Sequence, residues 1–224
     1  MRRGDALELK LQTKLALEAY LEAEKLGKPP AALLTRIAKQ YGLSMNDFPT
    51  EAGKKAAAET ALAYAQRAAA TDPNDADAYV ALAVCYGRLV RFQETKVQIQ
   101  YSRLIKESAE AALRLNPKQE LGWYVLGSWH YEMASLSAFK RGLARMIYGE
   151  MPAASYTDAA TCFKRALSID PARMASHVDL GRTFIQLNRK AEARAMFARG
   201  LALPDRDRDD PQVRARALAA LEKL

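Results

Sequence analysis

With 224 residues and 50% hydrophobic content, the chain can bury a sizeable core without disulfide staples, as one elongated domain or two small ones. Ala, Leu, Lys, Arg and Glu dominate, while the 11 Gly and 9 Pro fall mostly between periodic segments; this composition leaves almost no room for strand and predicts an all-α chain. The 34 Lys and Arg against 26 Asp and Glu leave a formal +8, a bias toward acidic partners, but the basic residues are scattered along helices instead of massed in runs, which disfavours nucleic acid.

The opening segment, MRRGDALELKLQTK, follows its two arginines with acidic residues where a signal peptide would carry an apolar core. No run of about 20 apolar residues occurs further along. The expected protein is therefore soluble, with the cytoplasm favoured; a periplasmic or membrane-associated location requires that an N-terminal signal or anchor was removed. Helical periodicity predicts helices over 5–26 and 31–42, parted by Lys28-Pro29-Pro30, and an irregular connection from Gly42 to Thr50. Residues 1–49 read as an N-terminal helical capping segment and 50–224 as a helical repeat domain. In that domain helices are predicted over 51–71, 75–89, 92–115, 119–135, 137–148, 154–169, 173–187, 190–202 and 211–223.

Four of these segments close alike: QRAAATDP to Pro73, EAALRLNP to Pro117, KRALSIDP to Pro171 and ARGLALP to Pro204. After each of the first three comes a helix with one spacing of large, leucine, small and aromatic or His side chains. The copies are Tyr79, Leu82, Ala83, Tyr86; Trp123, Leu126, Gly127, His130; and His177, Leu180, Gly181, Phe184. A small residue lets two helix backbones approach while the large ones fill the space around it. The pattern resembles the tetratricopeptide repeat (TPR), and the last copy, continuing through Ala193, Phe197 and Gly200, matches its period of about 34 residues. The expected fold is an all-α, TPR-like antiparallel helix-hairpin solenoid. Its repeats are enlarged by insertions of about 10 and about 20 residues relative to that period.

In such a solenoid the first helix of each repeat lines the concave face. The register places there Val80, Val84 and Arg88 from one repeat, Leu121, Tyr124, Ser128 and Tyr131 from the next, and Val178, Arg182, Ile185 and Gln186 from the last. This largely apolar face with two arginines suits an amphipathic helix, or an acyl chain with an anionic head, better than it suits a peptide-carboxylate clamp. The alternative is that the extra helices fold into the face and make these residues core. The longer insertion places Phe139, Leu143, Met146 and Ile147 on one helical stripe with Lys140, Arg141 and Arg145 off it. Such a basic amphipathic helix is a candidate membrane or lid helix, or it packs on the neighbouring hairpin.

Catalytic chemistry finds little support. His130 and His177 occupy repeat packing positions, and no Ser or Cys nucleophile has a His-Asp system beside it. Cys85 and Cys162 lie on apolar helix faces without metal-ligand spacing and read as buried thiols. Asp205, Asp207, Asp209 and Asp210 lack the glycine and the glutamate of a calcium loop and read as a solvated loop capping the last helix. No glycine-rich phosphate cradle is present, so neither metal nor cofactor is expected.

More specific than the repeat are SRLIKESAEAALRLNP (Ser102 to Pro117), GSWHYEMASLSAFKR (Gly127 to Arg141) and YGEMPAASYTDAATCFKRAL (Tyr148 to Leu167). Through them the segment Tyr101 to Leu224 resembles the regulator of microtubule dynamics family. The resemblance implies a non-catalytic TPR-like binding or adaptor module. It implies microtubule association, as in animal members, and phospholipid binding and transfer at membrane contacts, as in one mitochondrial member. The expected partner is a protein or peptide, with phospholipid or fatty acid as the alternative ligand and a structural assembly subunit as the third reading. Neither the membrane anchor nor the coiled-coil region of the larger animal members is expected in this chain.

Overall fold

The computed structural model describes residues 1–137, 140–142, 145–146 and 153–224. Among them the regular structure is helical: α1 (Arg2–Glu8), α2 (Thr13–Glu24), α3 (Ala31–Ser44), α4 (Glu51–Thr71), α5 (Ala76–Leu89), α6 (Thr95–Leu115), α7 (Glu120–Ala134), α8 (Tyr156–Ile169), α9 (Met174–Gln186), α10 (Lys190–Leu201) and α11 (Asp210–Leu221), with short 3-10 turns at Met45–Asp47 and Val90–Phe92. None of these helices is long and apolar enough to cross a membrane.

The helix ends have local causes. Asp72, Asn116 and Asp170 close α4, α6 and α8 in nearly the same extended conformation, φ −138°, −141° and −126°. Each precedes a proline, whose ring drives the preceding residue out of the helical region. After the first two of these stops the next helix starts on a side-chain cap. Asp75 accepts from the Asp77 amide at 2.9 Å, and Gln119 Oε1 from the Leu121 amide at 2.8 Å. Thr50 and Ser155 cap α4 and α8 in the same way, and Ser155 also donates to Asp158, the residue whose amide it accepts from.

The chain divides into two compact units, residues 1–117 and 118–224. The first is built on alanine: Ala58, Ala61, Ala65 and Ala68 of α4 are fully buried and allow close approach of α3 and α5, with Leu34, Ile37, Ala38, Cys85 and Leu89 filling the seams. Residues 1–49 lie within this unit, so the 49/50 boundary expected from sequence falls inside it. Tyr41 and Tyr64 stack at 5.7 Å across α3 and α4, and the Tyr64 hydroxyl donates to Glu24 of α2 at 2.8 Å. Unit two packs α7 on α8, α8 on α9, and α9 on α10 and α11 around Phe163, Met174, Val178, Leu180, Phe184 and Phe197.

One predicted helix is divided. The span 5–26 breaks between α1 and α2, where Leu11 takes a left-handed φ of 56°. The reversal is driven by Tyr20, which is fully buried: α1 folds back so that Gly4 lies against its ring, where a Cβ would come within 2.3 Å. The Tyr20 hydroxyl reaches Asp5 Oδ1 and Glu8 Oε2, each at 2.8 Å. Hydrophobic periodicity does not register this contact, because a continuous helix and a folded-back one share the same pattern.

Gln40 of α3 is 1% exposed and its Nε2 has no hydrogen-bond partner among the described residues. Burying an unsatisfied donor is costly, and methionine has nearly the same volume. Gln40→Met is expected to stabilise the protein by about 1 kcal/mol, read as a higher urea midpoint with an unchanged slope.

Candidate functional site

Helices α7 and α9 each open a hairpin in unit two, and their facing side chains form one connected cluster. Asp179 of α9, 6% exposed, is its centre. The Tyr124 hydroxyl donates to Asp179 Oδ2 at 2.8 Å, Arg182 Nη1 donates to Oδ1 at 2.9 Å, and Arg216 of α11 approaches the same oxygen at 4.0 Å. The Arg182 guanidinium lies over the Tyr131 ring at 4.8 Å, within cation–π range. Tyr131 packs edge-on against Tyr156 at 5.4 Å, and the Tyr156 hydroxyl lies 3.1 Å from Ser135 Oγ.

The electrostatics follow from that carboxylate. Burial, with the Asp179 charge beside it, pushes the Tyr124 hydroxyl well above its ordinary range, so it acts as a donor and not as an acid. Burial alone would lower the Arg182 guanidinium, but the Asp179 charge and hydrogen bond outweigh it and hold it above its ordinary value. Two arginines thus meet one buried carboxylate, and both remain partly exposed, with 33% of the Arg182 side chain and 48% of Arg216 facing solvent.

Other residues expected on the face are placed differently. Val178 is fully buried in the unit-two core, and Ser128 spends its hydroxyl on the Tyr124 carbonyl of its own helix at 3.0 Å. Leu121 is half-buried beside the Gln119 cap, Ile185 packs partly buried on the core, and Gln186 is exposed. In unit one, Val80 is buried, Val84 half-buried, and Arg88 lies along α3, its Nη1 3.8 Å from Met45 Sδ and its Cδ against Gly42. Of the basic amphipathic insertion, Lys140, Arg141, Arg145 and Met146 are exposed, with Arg141 donating to the Leu136 carbonyl at 2.9 Å. Phe139, Leu143 and Ile147 lie outside the described residues.

Sequence reasoning missed Asp179, Tyr156 and Arg216. The spacing of Asp179 three residues before Arg182 was the available signal for the first. Arg216 had none, since only the packing of α11 against α9 brings it near.

The residues considered for chemistry are buried or paired within the fold. Burial pushes the Cys85 thiol up to about 12 and the Cys162 thiol up to about 11, which leaves neither a ready nucleophile. His177 Nε2 donates to the Pro171 carbonyl at 2.9 Å. Asp205 pairs with Arg214 and Asp207 with Arg173, and Asp210 accepts from the Arg206 and Asp207 amides at 2.7 and 2.8 Å. Among the described residues no group of acidic, His or Cys side chains is arranged to hold a metal ion.

Hairpins with a small residue of one helix under an aromatic ring of the next, Gly127 of α7 under Phe163 of α8 and Gly181 of α9 under Phe197 of α10, define a helical-repeat protein of the TPR class. The fold agrees with a thermophilic TPR protein of Thermus thermophilus at a TM-score of 0.69 and 19% identity, covering 99% of this chain and 96% of that one. The family model for regulator of microtubule dynamics protein 1-3 matches residues 1–224, and the chain belongs to that family. It is 28% identical to regulator of microtubule dynamics protein 1 of Mus musculus and of Bos taurus, over 86% and 92% of its own length. It spans 64% of the length of each of these relatives.

Proposed function

We propose that this protein is a non-catalytic adaptor that holds a polypeptide partner on the α7–α9 face of its second unit. The observation that carries this reading is the partly exposed Tyr131–Arg182–Arg216 group, gathered on the buried Asp179 carboxylate. Tyrosine and arginine are the side chains that most often dominate a binding interface, and groups already held by the fold lose little entropy when a partner docks. The burial of both thiols and the bond of His177 Nε2 to the Pro171 carbonyl support the non-catalytic part.

The relatives' shared name makes microtubules the first partner to try. Co-sedimentation of the full chain with polymerised tubulin, beside Tyr131→Ala and Arg182→Gln, is the test. Binding weakened about tenfold or more in both variants, at unchanged helical content, is expected. Equal binding by wild type and variants would remove the face from the account. A lack of binding to microtubules and to a displayed peptide library, with stoichiometric phospholipid or fatty acid in an organic extract that Val84→Glu loses, would replace the adaptor with a lipid carrier. A stable oligomer with neither ligand would indicate an assembly subunit.

A further inference from the structure

The α1–α2 turn presents an apolar group that the adaptor reading does not use. Leu9 is 87% exposed, Leu15 46% and Leu11 40%, within seven residues of chain. Leu11 sits at the left-handed position that closes α1, its amide bonded to the Glu8 carbonyl at 2.9 Å and the Gln12 amide to the Leu7 carbonyl at 3.0 Å. Glycine takes that conformation freely and leucine does not. The fold-back of α1 requires the left-handed turn but not a leucine in it, and strain of this kind concentrates where a surface is used.

The charge around the leucines is uncompensated. On α1, Glu8 is taken up by Arg36 and Lys39 at 3.1 and 2.8 Å, and Asp5 by Tyr20 at 2.8 Å. Lys10 and Lys14, interleaved with the leucines in the chain, are exposed and make no ion pair among the described residues. Glu18, one turn beyond Lys14 on α2, bounds the patch. Exposed leucines set among unpaired basic residues complement an anionic bilayer surface, where apolar side chains enter the acyl boundary and lysines meet phosphate. We infer that the turn Leu9–Leu15 docks the protein on an anionic lipid surface.

Flotation of the full chain with phosphatidylcholine vesicles, with and without roughly one-third phosphatidylserine, tests this inference. Wild type is expected to float with the anionic vesicles only, and less at high salt. Leu9→Ser with Leu15→Ser, both at exposed positions, should lower binding about tenfold or more at an unchanged denaturation midpoint. Leu11→Gly should raise the midpoint while lowering binding, two changes that a purely structural role would not separate. Failure of wild type to bind anionic vesicles would overturn the inference, as would binding that the variants leave intact. So would a wild-type dimer that the serine variant converts to monomer, since the leucines would then cover a second copy.

Discussion

Phe197→Ala is expected to destabilise the protein by about 3–5 kcal/mol, among the largest losses available to a single substitution here. Phe197 is fully buried in the unit-two core, and its ring lies directly over Gly181, where a Cβ would come within 2.8 Å of Cε1. Phe163 stands in the same relation to Gly127, at 2.9 Å. In each hairpin the glycine makes the space and the ring fills it, so the ring cannot be deleted without a cavity bounded by rigid helix backbone. The converse change, Gly181→Val, should cost about 1–3 kcal/mol by driving the ring off the backbone. Urea titrations followed by far-ultraviolet dichroism measure both. A loss below about 1 kcal/mol for Phe197→Ala would mean that α9 and α10 close over the cavity, and that the glycine-under-ring contact does not define the hairpin.

Arg173→Met is expected to cost about 3 kcal/mol, the low end for a broken buried pair because a quarter of the arginine side chain is exposed. Arg173 Nε donates to Glu120 Oε2 at 2.6 Å and its Nη1 to Asp207 Oδ2 at 3.0 Å, joining the start of α7 to the loops before α9 and α11. Burial raises the Glu120 carboxyl above its usual range even with Arg173 opposing. Without the arginine it should rise further. A carboxyl raised in the folded state binds its proton there more readily than in the unfolded chain. The penalty is therefore fully present above the folded value and is relieved as pH falls through it. The stability gap between wild type and Arg173→Met should narrow as pH falls toward the ordinary carboxylate range. Glu120→Leu combined with Arg173→Met should recover most of the loss, because no unpaired buried charge remains. A gap independent of pH would show that the arginine acts through its packing on the loops and not through Glu120.

The helices of the repeat region were legible because their signals are local. Asp-Pro and Asn-Pro stops, side-chain caps and the small–large alternation each act within a turn or two of chain, and the observed ends at 71, 89, 115, 169 and 186 lie within a residue of those expected. The candidate face was legible only by register. Periodicity assigned Tyr124, Tyr131 and Arg182 to one side of α7 and α9, and it assigned Val178 there too, although that valine is core. A helix position that points toward the next repeat is indistinguishable, in one sequence, from one that points into the groove.

By itself the sequence determined the all-α class, the hairpin repeat, its proline-marked boundaries and the family, all carried by short-range patterns and by motifs such as MASLS and GEMPAASY. Tertiary structure alone decided the rest. Burial of Tyr20 against Gly4 folded α1 back and exposed the Leu9–Leu15 turn, and packing of α11 on α9 brought Arg216 to the carboxylate that Arg182 already held. It also took up the aspartates after Leu203 in caps and ion pairs. Each of these turns on a contact between residues far apart in the chain, whose energy depends on distance and burial and so leaves no periodic trace in the order of the residues.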